Sequence, residues 1–325
     1  MHAITLRSGL ERKSPLSRIA AAVKLHLRAL RAPRVTRGWL ELLNSHPALR
    51  ELARSQPRLI HKIYRPWLSK RLCAQRRLAA LAAHYRFIVQ HGLGEAVLQA
   101  ARHGLPLAQF SGKSGTQYSI ELRAVVPMER EGELVLQLRC QGALVYSLAF
   151  SFLLEGRLRQ LGIGCIQGPQ CGAGLELARE ATRDLHGLRP KNLLVRLASQ
   201  LGHACGCDHL VLVGNDNRTV CGKSVRKGKV KADYDSLWQE LGARPRADGD
   251  YELACLPLQA PVMDEVPSKK RAEVRRRHDL MTEINDAVLA RLAPQPQIKA
   301  ATMDAPLPRE RSRMDLVAPA CAVVN

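Results

Sequence analysis

The chain has 325 residues, enough for one large domain or two of ordinary size. Its residues are 46% hydrophobic but only 4% aromatic, so the core is expected to be aliphatic, and its formal charge is +21. No uninterrupted apolar run approaches the about 18 residues of a membrane-spanning helix. The nearest thing to a secretory core, IAAAVKLHLRAL, is cut by Lys24, His26 and Arg28.

An intracellular chain is therefore expected, with its nine cysteines as thiols rather than a disulfide frame. The charge is unevenly spread. Residues 1–90 hold 19 Lys and Arg against three acids (Glu11, Glu41 and Glu51), a net +16, which leaves +5 for the remainder. That asymmetry points to an anionic partner for the N-terminal part, a phospholipid surface or a nucleic acid.

In chain order, SPLSRIAAAVKLHLRALR reads as a helix with Ser14 as N-cap and Pro15 at its first position. Leu16, Ile19, Ala20, Val23, Leu27 and Leu30 fall on one stripe, flanked by Arg18, Lys24, Arg28 and Arg31. Such a basic amphipathic helix fits either a lipid headgroup layer or the protein's own core. Proline-broken helical stretches follow to about residue 91, and a glycine-rich segment over 92–116 reads as a hinge or boundary. The period then changes to two. QYSIELRAVV, GELVLQLRC, ALVYSLAFSFL and LRQLGIGCIQG are four strands of an antiparallel meander, separated by Gly-containing turns.

Helices are expected over 173–186 and 190–204, then a buried strand (DHLVLVGN), a polar loop, and a short helix (YDSLWQELG). A further strand (DYELACLPL) precedes a charged helix over 268–292. The fold class is α+β, a basic helical part followed by a mostly antiparallel sheet with packed helices. The division is a 1–36 basic extension, a 37–104 helical subdomain, a 105–292 α+β domain and a 293–325 Pro-rich tail expected to be disordered.

LGIGCIQG, ATRDLHGLRPKNLL, DYDSLWQELG and VPSKKRAEVRRRHDL, in that order, resemble the VirK/YbjX family of bacterial proteins. HPALRELARSQPRLIHKIYRPWL upstream fits it too, so the resemblance runs from about Trp39 to Leu292. It implies no established enzymatic activity. It does imply a role in Gram-negative virulence and correct placement of a surface protein, with a membrane association. The expected location is cytoplasmic, peripheral on the inner membrane, with an anionic membrane surface or an envelope protein as partner.

Candidate site residues cluster at HGLRPK. Gly187 can take positive φ and end one helix, and Pro190 opens the next. That break puts Arg189 and Lys191 at a helix start, where free N–H groups and the dipole favour an anion. His186 and Asp235 are the candidate catalytic groups. Gln167 and Gly168, where an apolar strand ends, join Arg189 and Lys191 as ligand-binding candidates.

The order strands, helix pair, strand is similar to that of acyl-CoA-dependent N-acyltransferases, which makes acyl-CoA the candidate cofactor of an alternative, enzymatic reading. Arg159, Gly162 and Gly164 supply the letters of that group's pyrophosphate turn, but in a strand-like context. The Cys and His residues of HACGCDH (His203, Cys205, Cys207 and His209) are too crowded to close a tetrahedron, so no metal is expected. Nucleic-acid binding ranks last, because the few aromatics are not interleaved with the basic residues.

Overall fold

The period-two segments pair in the order in which they occur. The computed structural model describes residues 3–10, 15–168, 172–219 and 232–292. The expected Ser14 cap, the side chain of Leu16, the basic loop 226–231 and the tail from 293 lie outside these residues. Helices α1 (Pro15–Arg31), α2 (Pro33–Asn44) and α3 (Pro47–Ser55) are followed by a 3₁₀ stretch, Pro57–Tyr64. Prolines at 33, 47 and 57 stand at the first position of each, where the missing N–H is not needed. Helices α4 (Ala74–Gln90) and α5 (Gly94–Arg102) complete the helical part.

Strands β1 (Leu105–Ser111), β2 (Gln117–Ala124), β3 (Leu134–Cys140), β4 (Ala143–Glu155) and β5 (Leu158–Gln167) form the meander. The glycine-rich segment read as a hinge therefore contains α5 and β1. Pro106 and a bulge between Pro106 and Ala108 weaken the period-two signal there, and Pro106 is tolerated because β1 is an edge strand. Helices α6 (Gly172–Asp184) and α7 (Pro190–Ala204) lead to β6 (His209–Leu212), which lies parallel to β5. Helix α8 (Tyr234–Glu240), strands β7 (Arg244–Pro245) and β8 (Tyr251–Ala254), and helix α9 (Ser268–Leu292) follow. The eight strands form one sheet in the order β1-β2-β3-β4-β5-β6-β8-β7, antiparallel throughout except at β5–β6. This is the expected α+β, mostly antiparallel architecture.

The described residues form one compact unit, so the helical part and the sheet share a core. A buried polar cluster joins them. Lys62, at the end of the 3₁₀ stretch, donates to Glu133 Oε1 at 2.5 Å, and Tyr85 of α4 donates to Glu133 Oε2. The Lys62 and Glu133 side chains are 4% and 1% exposed. Burial, and then the Glu133 charge, push the Tyr85 phenol well above its ordinary value. His84 Nδ1 accepts from the backbone N–H of Phe152 at 3.2 Å, which makes the ring neutral with its proton on Nε2. Burial, then the Lys62 charge, pull His84 down to about 3.

Two outcomes follow from this cluster. Lys62→Met leaves Glu133 buried without its cation and should cost about 3–5 kcal/mol in denaturant unfolding. The double variant Lys62→Met/Glu133→Gln should cost clearly less than the two single losses combined. Additivity would mean the pair is not coupled. His84 has a folded-state value below its unfolded one of about 6.5, so the unfolded chain takes up the proton first as pH falls. Stability should therefore decline from about pH 6.5 towards 3, and the His84 imidazole resonance should show no titration at pH 5 by NMR.

Candidate functional site

The HGLRPK break is built from chain geometry. Helix α6 closes with Gly187 N–H donating to Thr182 O at 2.8 Å, a wrap that needs left-handed residues. His186 at φ 53° and Gly187 at φ 75° supply two in succession, so the first is a histidine and not the glycine alone. Helix α9 seals the turn. Arg277 Nε donates to the His186 carbonyl at 2.9 Å, and a Cβ on Gly187 would press to 2.9 Å on both Arg277 and Glu273.

Arg189 then caps α7, with Pro190 at its first position. Both cations at this helix start meet an anion, and it belongs to the chain itself. Arg189 pairs with Glu240 Oε1, and Lys191 Nζ lies 3.2 Å from Glu240 Oε2 at the end of α8. The Lys191 bond and charge, with Arg189 behind them, hold the Glu240 carboxyl below its ordinary value.

The other candidates are placed elsewhere. Asp235, read as a partner for His186 or Arg189, instead accepts from the Asn215 backbone N–H at 2.9 Å and fixes the loop after β6. Gln167 is the exposed last residue of β5, and a Cβ on Gly168 would press to 2.9 Å on the Tyr146 ring. Among the described residues no hydrogen bond or ion pair links Gln167, His186 and Asp235 to Arg189 or Lys191.

The strand end is occupied by Tyr234, which sequence reasoning treated only as a helix opener. Strand β6 runs beside β5 only as far as Ile163↔Leu212. Beyond it, the Tyr234 hydroxyl donates to Ile166 O at 2.8 Å and lies 3.0 Å from Ile166 N and from Cys165 Sγ. A side chain thus takes the place of the missing strand. Burial raises the Cys165 thiol to about 11, which keeps it from being a thiolate nucleophile.

The pyrophosphate-turn letters prove to lie inside β5. A Cβ on Gly162 would sit 2.5 Å from Leu153 Cδ1, and one on Gly164 would strike the Glu131 carbonyl. Gly164 admits the Glu131 backbone, and Gly162 makes room for the Leu153 side chain. Of the crowded Cys and His residues, Cys205 and Cys207 are buried thiols raised to about 12, chiefly by burial, while His203 is exposed. Among the described residues no group of three or more His, Cys, Asp or Glu could hold a metal ion.

The N-terminal helix is the less expected surface. α1 packs on the body through Leu25 and Ala29, 1% and 7% exposed. The long apolar residues of its stripe point outward, with Ile19, Val23, Leu27 and Leu30 exposed at 62%, 54%, 51% and 75%. Arg18, Lys24 and Arg31 are exposed and Arg28 is half-buried. A cleft of about 360 Å³ separates α1 from the 3₁₀ stretch, lined by Gly9, Lys24, Arg28, Arg58, His61 and Arg65 among others.

A family profile described as "Protein of unknown function (DUF535)" matches residues 15–290. Escherichia coli K12 YbjX, itself described as uncharacterized, is 30% identical over 80% of each chain. An uncharacterized Haemophilus influenzae protein is 25% identical over 75% of this chain and 81% of its own. "Membrane protein LapB" of Mannheimia haemolytica is 29% identical over 53% of this chain and 72% of its own. Among solved structures, a cAMP-binding acyltransferase from Mycobacterium smegmatis aligns at 15% identity and a TM-score of 0.24, over 66% of this chain and 61% of that one. A mutant form of it reaches a TM-score of 0.28. Likeness at this level does not bear on activity. No described helix is long and apolar enough to cross a membrane.

Glu240→Gln should leave Arg189 and Lys191 at the α7 start without their counter-charge. Sulfate should then raise the melting temperature of Glu240→Gln more than that of the natural protein. Equal salt responses would show that Glu240 does not neutralise this helix start.

Proposed function

Since the chain belongs to the DUF535 family, we propose that it is an accessory protein of the Gram-negative envelope that acts at the cytoplasmic face of the inner membrane. In this reading α1 lies in the anionic headgroup layer, and the protein supports surface-protein assembly and virulence. The observation that carries the reading is the outward apolar stripe Ile19, Val23, Leu27 and Leu30, beside a basic flank.

A solvated helix would keep polar residues on that face. Moving one such side chain into the headgroup boundary contributes about 1 kcal/mol, short of the about 1.5–3 kcal/mol for full burial. A basic residue near an anionic leaflet contributes about 1 kcal/mol more. Together they support a reversible, salt-sensitive attachment. The name of the Mannheimia relative agrees with a membrane location.

Nucleic acid remains the competing anion for the basic N-terminal region. A nucleic-acid surface offers charge but no layer for four aliphatic side chains, so the stripe favours lipid over nucleic acid.

Sedimentation of the full chain with phosphatidylglycerol-containing vesicles tests the reading. Val23→Asp/Leu27→Asp should weaken binding by roughly tenfold or more, since each 1.4 kcal/mol is a factor of ten. Raised salt should weaken the natural protein's binding, and added nucleic acid should not displace it. Unchanged binding of the double variant, or no binding by the natural protein at low salt, would overturn it.

A further inference from the structure

We propose that the groove between α1 and α2 holds one acyl chain of a membrane phospholipid whose headgroup is zwitterionic and ends in a primary ammonium. The inference deepens the membrane reading and rests on it for the source of the lipid. The groove itself is a feature of the folded body.

The junction of the two helices makes the space. Arg31 ends α1, Pro33 opens α2, and Ala32 between them has φ −140° and ψ 60°, outside the helical region. A groove of about 510 Å³ lies along the junction. That volume falls within the range of about 300–1,000 Å³ typical of small-molecule sites. Its wall is mainly aliphatic, from Leu6, Ala29, Leu30, Pro33 and Leu40.

The polar groups along this wall are already engaged. Thr36 Oγ1 donates to Ala32 O at 2.9 Å and lies 2.8 Å from the Tyr64 hydroxyl. Asn44 Oδ1 accepts from the Ile4 backbone N–H at 2.8 Å, and its Nδ2 donates to Ile4 O and Leu40 O. His26 Nδ1 donates to Ala22 O at 2.8 Å. With these groups committed, an occupant gains mainly by removing apolar surface from water.

Two features select the occupant. The first is continuity. Leu30, 75% exposed, belongs both to the groove and to the outward stripe of α1. With that stripe in the headgroup boundary, the groove adjoins the lipid layer.

The second feature is charge complementarity at the rim. Arg37 and Glu41 line the groove one turn apart on α2, and both are exposed. Among the described residues no side-chain hydrogen bond or ion pair engages either of them. An acid that follows its base by four residues is the weaker orientation of a helical pair. The rim thus offers a guanidinium to a phosphate and a carboxylate to an ammonium, both as charge-assisted hydrogen bonds. Phosphate and ammonium joined by two carbons suit the about 5–6 Å between such positions. A choline headgroup has no N–H to donate to Glu41, and a glycerol headgroup has no cation.

The test is calorimetric titration of full-length protein with decanoyl lysophospholipids, below their micelle concentration, bearing ethanolamine, choline or glycerol headgroups. The natural protein should bind the ethanolamine lipid roughly tenfold more tightly than the other two. Glu41→Gln should remove that preference, and Arg37→Gln should weaken binding of all three. Shortening the chain by two carbons should weaken binding by about fifteenfold, at about fourfold for each buried methylene.

Should either variant fail to fold, Leu30→Asp, at an exposed position, must weaken binding of the ethanolamine lipid. Ethanolamine-selective binding in solution, with no attachment to phosphatidylglycerol-containing vesicles, would support the groove as a lipid site and defeat the membrane reading. Vesicle attachment with no lysophospholipid binding would defeat the groove and leave the membrane reading standing. Equal binding of the three lipids, or a preference that survives in Glu41→Gln, would also overturn the assignment.

Discussion

A buried carboxylate with two donors, Lys62 and Tyr85 on Glu133, is the constraint on which the arrangement depends. Glu133 immediately precedes β3, Tyr85 belongs to α4, and Lys62 lies in the last turn of the 3₁₀ stretch, so three parts of the chain distant in sequence are brought to one point. Desolvating an ion pair is expensive, and its mutual attraction only offsets that cost when geometry and further hydrogen bonds are supplied. The phenol of Tyr85 provides the further bond. Such a cluster adds little net stability compared with an apolar core, but it tolerates only one docking of the helical part on the sheet.

That docking decides what is left outside. With α2, α3 and the 3₁₀ stretch committed to the shared core, the described side chains that α1 buries are Leu25 and Ala29. Ile19, Val23, Leu27 and Leu30 are left outside that core. A helix that turns Ile19, Val23, Leu27 and Leu30 outward, while Leu25 and Ala29 face the body, departs from the usual pattern of a globular surface. The basic cleft is a consequence of the same docking, since the 3₁₀ stretch that presents Arg58, His61 and Arg65 is held by Lys62 and Arg77.

Much of the architecture was legible because alternation and helix punctuation are local signals. The meander β2 to β5, the α7 start at Pro190 and the span of α9 follow from period and proline position alone. Strand β1 was hidden by Pro106 and a bulge, both of which break alternation. The candidate site was only half legible. A helix start bearing Arg189 and Lys191 is visible in the sequence. That Glu240, about 50 residues away, supplies the anion is a fact of tertiary structure. Tyr234 escaped for the same reason, since the backbone groups it satisfies belong to Ile166. The outward stripe was legible as a stripe, but periodicity does not say which way a helix is turned.

The contrast between the two basic features of this chain turns on where the counter-charge lies. At the α7 start, the fold brings Glu240 to both cations, and the free N–H groups and the dipole add to an interaction already made. Beside the 3₁₀ stretch, Glu129 lies 3.9 Å from Arg58 and 3.5 Å from Arg65, at the long end of ion-pair distance. Ion pairs between such exposed side chains add little stability, so what each one fixes is which elements meet. The helix break that first attracts notice in the sequence thus ties α7 to α8 through Glu240, a contact that no local pattern announces.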